Sequence, residues 1–261
     1  AGIVARNALL IGIQDYGQGI APVRSAPKDI DALHDALNHP SVGYFHSIQV
    51  VKDEEISSEP GTHPIDSAEL AALIQAWCRS HEPDDLALLY ISGQGFRGVS
   101  GELYVAASNT YLDPTGLVDS TAIPFYSLVQ WLDQSLAREQ VVVLDCCFSD
   151  HYGNPLGQDQ PNEDGREVRM DWSSLIHSPN VTLKEGSHRV VLAPSATANY
   201  YSDQKSDRLS MYTRYWLEGL VTGAADGAAK QWTSIADIHR YVCQQMAIAL
   251  PNITPVLADP S

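Results

Sequence analysis

Two apolar segments of this sequence end in residues whose types and spacing could do chemistry. Residues 88–91 (LLYI) run into 92–95 (SGQG), and residues 141–144 (VVVL) run into 145–149 (DCCFS). A thiol at the tip of a buried strand is a reasonable nucleophile, and Cys147 has that position. A buried, inert thiol is the alternative, because cysteine is among the most buried residue types. The vicinal cysteines, the preceding aspartate and the second glycine-rich strand end together favour the nucleophile.

The elements around these two segments predict an α/β fold with a mainly parallel central sheet of about six strands. Strand-like apolar runs alternate with segments of helical periodicity from residue 7 to residue 144, which favours helices on both faces of the sheet. Such sheets place their sites just beyond the carboxyl ends of the strands. We therefore expect the SGQG and DCCFS segments to meet at one edge of the sheet.

Periodicity and capping patterns predict the individual elements. Asp66 followed three residues later by Glu69 is a capping pattern that opens a helix. Strands are expected at residues 7–13, 47–51, 86–91, 141–144 and 189–193, with a short edge hairpin at 103–106. Helices are expected around Ile30, Leu33 and Leu37, after Asp66 with Leu70, Leu73, Ile74 and Trp77 on one face, and at 127–136 (carrying Leu128, Trp131, Leu132 and Leu136), 211–220 and 235–249.

Residues 150–187 show little periodicity and are rich in Gly, Pro, Asn, Gln and charged residues. A structureless stretch of this length inside a compact domain is generally functional or disordered. The strand and helices expected after it need the earlier sheet to bury their apolar faces. We therefore interpret residues 1–261 as one domain, with a larger part at 1–149, a flexible linker at 150–187 and a smaller part at 188–261.

The charge of the chain limits its partners. Sixteen Lys and Arg residues against 32 Asp and Glu residues give a formal net charge of −16 at pH 7. This surface would repel nucleic acid and anionic membranes at long range, so we expect neither as a partner and favour basic ones. For most of the acidic residues, solubility is the simpler explanation.

The cysteines and the apolar runs predict the cellular setting. The four cysteines form no CxxC pair, no zinc spacing and no disulfide framework; they are Cys78, Cys146, Cys147 and Cys243. The longest apolar runs are strand-sized, far short of a membrane span. Residues 1–7 do not have the pattern of a secretory signal. A reducing cytoplasm is the expected location.

The two strand ends make the sequence similar to the caspase-like cysteine peptidases, and most of all to metacaspases and their bacterial relatives, the orthocaspases. In those proteins one strand ends in Ser-Gly-His-Gly and the next in Asp-x-Cys-x-Ser-Gly, and the histidine and cysteine form the catalytic dyad. Here Cys147 lies 53 residues after Gln94, against about 50 between the caspase histidine and cysteine. The likeness extends to ALLIGI at 8–13, VRSAPKD at 23–29 and YWLEGL at 215–220, and implies the caspase-like sandwich fold.

This resemblance implies a role for each matching position. Cys147 takes the place of the nucleophile and Gln94 that of the histidine, while the backbone N–H groups of Gly95 and Cys147 would form an oxyanion hole. Three residues fall where the metacaspase pattern lines the pocket for the residue before the cut: Asp29, Ser92 and Asp145. Two carboxylates there would select arginine or lysine, because a buried acidic pair without a cation is costly. For Asp29 the alternative is a first-turn carboxylate favoured by the helix dipole.

Gln94 puts catalysis itself in question. An imidazole can withdraw the thiol proton, hold the thiolate as an ion pair and protonate the leaving amine; a carboxamide can do none of these. Losing the base in a comparable serine enzyme costs on the order of 10⁶-fold, so we expect this chain to be inactive or nearly so. Glutamine matches histidine in reach, and we favour an engineered inactive variant over natural loss. His151 and His188 are interpreted as solvent-facing loop residues.

The resemblance also bears on processing and on metal. Residues 150–187 match in position the segment that caspase relatives cut on maturation, and the candidate self-cleavage sites there are Arg166, Arg169 and Lys184. Some metacaspases need calcium held by clustered aspartates, including an adjacent pair in the region of Asp119. In this chain Ser120 follows Asp119, which puts a calcium requirement in doubt, and no cofactor is expected.

Three functions are compatible with these observations. The first is a caspase-like cysteine endopeptidase that cuts after arginine or lysine, with its base replaced. The second is a natural pseudopeptidase that grips basic peptide or protein segments through Asp29 and Asp145, or serves as a scaffold with other domains of a larger regulatory protein. The third is an unrelated doubly wound domain that binds a small ligand.

Overall fold

Strands and helices alternate through most of the described chain. The computed structural model describes residues 4–42, 44–53, 64–149, 152–153, 187–194, 208–226, 233–251 and 253–258. The strands are β1 (Arg6–Gly12), β2 (Ser47–Lys52), β3 (Leu86–Arg97), β4 (Leu103–Ala106), β5 (Leu112–Asp113), β6 (Gly116–Leu117), β7 (Ala122–Pro124), β8 (Glu139–Ser149), β9 (His188–Ala193) and β10 (Val256–Ala258). The helices are α1 (Ala26–Asn38), α2 (Ser67–Cys78), α3 (Phe125–Gln134), α4 (Met211–Val221) and α5 (Ile235–Ala249).

Six strands follow one another across the main sheet in the order β10-β9-β8-β3-β1-β2. Neighbours in this order are parallel except β10, which runs antiparallel to β9. The mainly parallel sheet predicted from the sequence is therefore confirmed. The segment at 103–106, predicted as a short edge hairpin, is the single strand β4, which forms an antiparallel hairpin with the far end of β3. It also extends the sheet, because β7 pairs with β4.

Helices cover both faces of this sheet, as predicted. On one face α2 and α3 bury apolar side chains such as Ile74 and Leu128 against the strands. On the other face α1, α4 and α5 do the same, with Leu33 and Trp216 among the buried residues. Successive strand residues alternate between the two faces, so each face has its own core. No helix of the described residues is both long enough and apolar enough to cross a bilayer.

Local sequence signals start the first two helices. Asp66 forms the predicted capping box: its carboxylate accepts the Glu69 N–H at 2.8 Å, and the Glu69 carboxylate accepts the Asp66 N–H at 3.3 Å. Pro27 lies in the first turn of α1, where its missing N–H is tolerated. A Cβ on Gly12 would lie 2.7 Å from the Ala26 carbonyl oxygen, so the glycine lets α1 start directly against the end of β1.

The third helix begins and ends earlier than its periodicity predicted. It covers Phe125–Gln134 instead of 127–136. Leu136, expected on its apolar face, lies beyond its last turn and is 49% exposed. The reason is local: the Ser135 hydroxyl accepts the Ala137 N–H at 3.2 Å, and side-chain bonding of this kind competes with helix continuation.

The sheet narrows to two long strands at its carboxyl edge. Pairing of β1 with β3 ends at Ser92, and pairing of β9 with β8 ends at Val143. Beyond these points the register of β3 and β8 sets Ser92 opposite Asp145 and Gln94 opposite Cys147. Residues opposite each other on neighbouring parallel strands point to the same face. These four side chains therefore lie together on the face that α1, α4 and α5 cover.

Candidate active site

Cys147 lies near the end of β8 with its side chain almost enclosed. It is 4% exposed and packs with the buried residues beneath α1 and α4. Burial raises the pKa of its thiol well above the ordinary value, and the negative charge of Asp145 raises it further. The thiol is therefore protonated at neutral pH. Cys146 points to the opposite face, where its thiol donates to the Ile91 carbonyl at 3.8 Å.

Gln94 is held by the loop that follows β1. Its backbone N–H donates to the Tyr16 hydroxyl at 2.7 Å, and its side-chain Nε2 donates to the Ala21 carbonyl at 3.1 Å. Its Oε1 is buried and has no hydrogen-bond partner among the described residues. Sequence reasoning missed both Tyr16 and Ala21, although their loop follows the carboxyl end of a strand, where sites of this fold are expected.

The predicted pocket residues lie together beside this pair. Asp29 and Asp145 are both fully buried. The Ser92 hydroxyl donates to Asp29 Oδ2 at 2.8 Å, and the Ser210 backbone N–H donates to Asp29 Oδ1 at 2.8 Å. Burial raises the pKa of Asp29 well above its ordinary value and the charge of Asp145 raises it further, while the Ser210 and Ser92 donors lower it. Asp29 lies in the first turn of α1 and also beside the second carboxylate, and both interpretations of it stay predictions.

The N-terminus of α4 closes over the two carboxylates. The hydroxyls of Ser210 and Thr213 both donate to Asp145 Oδ2, the latter at 2.6 Å. Since the one Thr213 hydroxyl proton goes to Asp145, the Tyr90 hydroxyl, 2.7 Å from Thr213 Oγ1, is the donor to that atom. Ser210 also caps α4 by accepting the Thr213 N–H at 3.0 Å. A serine just before the apolar run at Met211 was the sequence signal for this cap, and sequence reasoning missed it.

Gly95 lies in β3 opposite Phe148, next to the two paired positions. A Cβ on Gly95 would lie 2.3 Å from the Phe148 ring, so the glycine allows the ring to pack across the strand tip. Its assignment to an oxyanion hole stays a prediction.

Residues 93–98 (GQGFRG) have the spacing of a dinucleotide-binding turn, but β3 continues through them to Arg97, whereas that fingerprint opens a helix. This segment therefore gives no support to the hypothesis of an unrelated ligand-binding domain.

No histidine of the described residues replaces the missing imidazole beside Cys147. His188 pairs with Glu139 at the opposite end of β8, eight residues away and roughly 26 Å along the strand. Its ring lies 3.5 Å from the Glu139 carboxylate and is partly exposed. His151 and the candidate cleavage residues Arg166, Arg169 and Lys184 lie outside the described residues.

Asp119, where calcium was considered, accepts a hydrogen bond from the Tyr104 hydroxyl at 3.4 Å. The same hydroxyl lies 3.3 Å from the Glu102 carboxylate. Within the described ranges, no three His, Cys, Asp or Glu side chains gather as a metal site would require. The doubt about a calcium requirement stays a prediction.

Comparisons with known proteins identify the family and support the fold. The family described as "Caspase domain" matches residues 5–255. Among solved structures, pro-sf-caspase-1 is similar with a TM-score of 0.61 and 13% identity, over 100% of this chain and 88% of that chain. A protein from Geobacter sulfurreducens is similar with a TM-score of 0.55 and 14% identity, over 98% of this chain and 93% of that chain.

No match was found among curated proteins. At 13–14% identity the two structural likenesses support the fold alone, whereas the family match spans nearly the whole chain. Because that match covers residues 5–255 and so includes both strand ends, this chain belongs to the caspase domain family of cysteine peptidases.

Proposed function

We propose that this chain is a cysteine endopeptidase domain of the metacaspase and orthocaspase type, which hydrolyses peptide bonds after arginine or lysine and which Gln94 disables. The observation that carries the proposal is the register of β3 and β8, which sets position 94 opposite Cys147. That is the arrangement a base and a nucleophile need, since proton transfer requires hydrogen-bond reach.

With histidine at position 94, the surroundings would support a base. The Ala21 carbonyl, which now accepts from Gln94 Nε2, would accept an imidazole N–H and so fix the tautomer. The other ring nitrogen would take the Cys147 proton as sulfur attacks the scissile carbonyl, and would return it to the leaving amine. Glutamine can accept no proton, and the raised pKa of the thiol leaves almost no thiolate. Both effects support inactivity of the chain as it stands.

The acidic pair supports selection of a basic side chain. Burial and, after it, the charge of Asp145 raise the pKa of Asp29, so negative charge on this pair is unfavourable without a cation. A guanidinium presents five N–H donors in a planar fork and adds a compensating charge. An ammonium adds the same charge with fewer fixed donors. We therefore infer a preference for arginine over lysine, and for both over neutral residues.

A natural pseudopeptidase is the second candidate, and one observation favours it. Cys147 is 4% exposed, so a peptide carbonyl reaches the sulfur only after neighbouring side chains move. A domain that serves as a scaffold would need no such access, whereas binding of a basic segment at Asp29 and Asp145 would also require neighbouring side chains to move, because both carboxylates are fully buried. We place either function in the cytoplasm, where the free cysteines would remain reduced.

The test is the Gln94→His variant with fluorogenic peptides that end in Arg, Lys or Asp. Cleavage after Arg and Lys, absent in a Gln94→His/Cys147→Ala control and in the unchanged chain, is the expected result. No cleavage together with tight binding of Arg peptides would favour the pseudopeptidase. Cleavage after Asp would contradict the role of the acidic pair and leave the peptidase assignment intact.

A further inference from the structure

Position 94 lies beyond the end of β1, so its backbone pairs with β8 on one side and has no strand on the β1 side. The Ile13 N–H donates to the Ser92 carbonyl at 3.1 Å, which is the last backbone bond between the two chain segments. Two residues further along β3, the Gln94 N–H points to the same side. The Tyr16 hydroxyl accepts it at 2.7 Å and donates its own proton to the Ile13 carbonyl at 2.6 Å. The Tyr16 hydroxyl thus takes the place of the next main-chain hydrogen bond between the segment after β1 and β3.

The position of the Tyr16 hydroxyl depends on Gly93 and on Asp53. A Cβ on Gly93 would lie 2.6 Å from this oxygen, so the glycine before position 94 leaves it room. The loop that carries Tyr16 is anchored by the buried Asp53 at the end of β2. The Asp53 carboxylate accepts the backbone N–H groups of Gln14 at 2.5 Å and Asp15 at 3.0 Å.

We propose that Tyr16 is a positioning residue for the side chain at position 94, acting through the backbone N–H of that residue, with Asp53 anchoring the loop. The inference rests on the proposed function, because it concerns proton transfer between position 94 and Cys147. The same loop supplies the Ala21 carbonyl, which holds the side chain at position 94. One loop therefore fixes both the backbone and the side chain of the residue that faces the thiol.

The chemistry of the phenol suits this role. Burial raises the pKa of Tyr16 well above its ordinary value, and the charge of Asp53 raises it further. The hydroxyl therefore stays neutral over the working pH range and keeps both its donor and its acceptor function. Phenylalanine would fill the same volume and lack only this oxygen, so Tyr16→Phe isolates the hydrogen bonds from the packing.

The experiment compares Tyr16→Phe with its parent, both in the Gln94→His background. We expect kcat for an Arg peptide to fall about 10- to 100-fold with KM within about twofold, because a misplacement of about 1 Å costs on that order in rate. Tyr104→Phe is the matched control: it removes the partly buried hydroxyl of another tyrosine, which bonds Glu102 and Asp119 away from position 94, and should leave kcat unchanged. A role confined to stability would lower the unfolding midpoint without this fall in kcat.

A second measurement uses the chain as it is, with Gln94. Tyr16→Phe should speed hydrogen exchange of the Gln94 backbone N–H at least about tenfold, since an N–H without a hydrogen-bond acceptor loses its protection. The exchange rates of the neighbouring backbone N–H groups in β3 should change little. Unchanged exchange, or an unchanged kcat in the active background, would overturn the inference and leave the proposed function standing. A folded Gln94→His variant without any activity would overturn both. If Tyr16→Phe fails to fold, Asp53→Asn decides by the same readouts, with a fall in kcat supporting the inference and no change overturning it.

Discussion

At the residue scale, the surroundings of position 94 fit an imidazole better than the carboxamide they hold. Gln94 Oε1 is a buried acceptor with no hydrogen-bond partner in the described chain. A buried acceptor without a partner lowers the free energy of unfolding by about 1–3 kcal/mol. An imidazole that donates one N–H to the Ala21 carbonyl and turns its other nitrogen to the Cys147 thiol would leave no acceptor unsatisfied. This unsatisfied acceptor supports the proposal that position 94 is a histidine site occupied by glutamine.

This difference is measurable as stability. We predict that Gln94→His leaves the free energy of unfolding unchanged or raises it by about 1 kcal/mol, measured in urea above pH 7 where the ring is neutral. Gln140→His is the matched control: the Gln140 amide is also buried, but it bonds the Leu132 and Ala137 carbonyls and Arg189. That substitution should cost more than 2 kcal/mol, on the order expected for breaking a buried network. Equal costs for the two variants would contradict the interpretation of position 94.

Asp29 should make stability depend on pH. Its pKa is raised in the folded chain, chiefly by burial and then by Asp145, whereas the unfolded value is about 3.9. The folded state therefore binds more protons above that pH, and this contribution to stability is lost as the pH rises toward the folded pKa. We predict that Asp29→Asn makes the decline of stability between acid and neutral pH shallower in urea titrations. Asp35→Asn, at an exposed carboxylate of the same helix, is the control. An equal change in the pH dependence of stability there would refute the assignment of this dependence to Asp29.

At the scale of elements, the N-terminus of α4 is bonded to the acidic pair as well as capped. Ser210 donates to both carboxylates and accepts the Thr213 N–H. Anions are stabilised at helix N-termini by the exposed N–H groups and the dipole. The pair therefore holds α4 against α1 and β8, and a basic side chain that enters must share the two carboxylates with this helix.

Replacing the cap separates the two contributions. Ser210→Ala should cost about 2–4 kcal/mol, because it removes a cap worth about 1 kcal/mol and a donor to a buried carboxylate. Ser234→Ala is the matched control, since Ser234 caps α5 through Asp237 and bonds no carboxylate from another element among the described contacts; it should cost about 1 kcal/mol. Urea unfolding measures both. If the two variants lose the same stability, Ser210 acts only as a cap.

The sequence predicted those elements whose signal is local. Apolar runs located β3 and β8, and the capping box located α2. The meeting of Gln94 with Cys147 followed from the rule that parallel strand ends share an edge. Tyr16 was missed because its partner, the Gln94 N–H, is 78 residues away, and no spacing in the sequence indicates that β1 stops two residues short of it. Leu136 was misplaced because the periodicity continues past the serine that ends the helix.

At the scale of the molecule, the net charge of −16 should assist capture of basic substrates. Exposed charges steer association, and salt screens them, with a Debye length of about 10 Å at 0.1 M and about 3 Å at 1 M. We predict that the association rate of an Arg-rich peptide falls roughly tenfold from low to high salt, while its dissociation rate changes little. Surface plasmon resonance on the Gln94 chain measures both rates, and a citrulline peptide is the neutral control. An association rate that does not respond to salt would contradict electrostatic capture.

The central claim is that Gln94 takes the place of the base in a site whose register otherwise suits a base and a nucleophile. The most direct test is an arginine acyloxymethyl ketone, which alkylates a thiol only when it is activated beside a bound arginine. Treated in parallel, the Gln94→His variant should be labelled at Cys147, as located by peptide mass spectrometry, and the unchanged chain should not. Equal labelling of both proteins, or labelling of Cys243 in place of Cys147, would contradict the account.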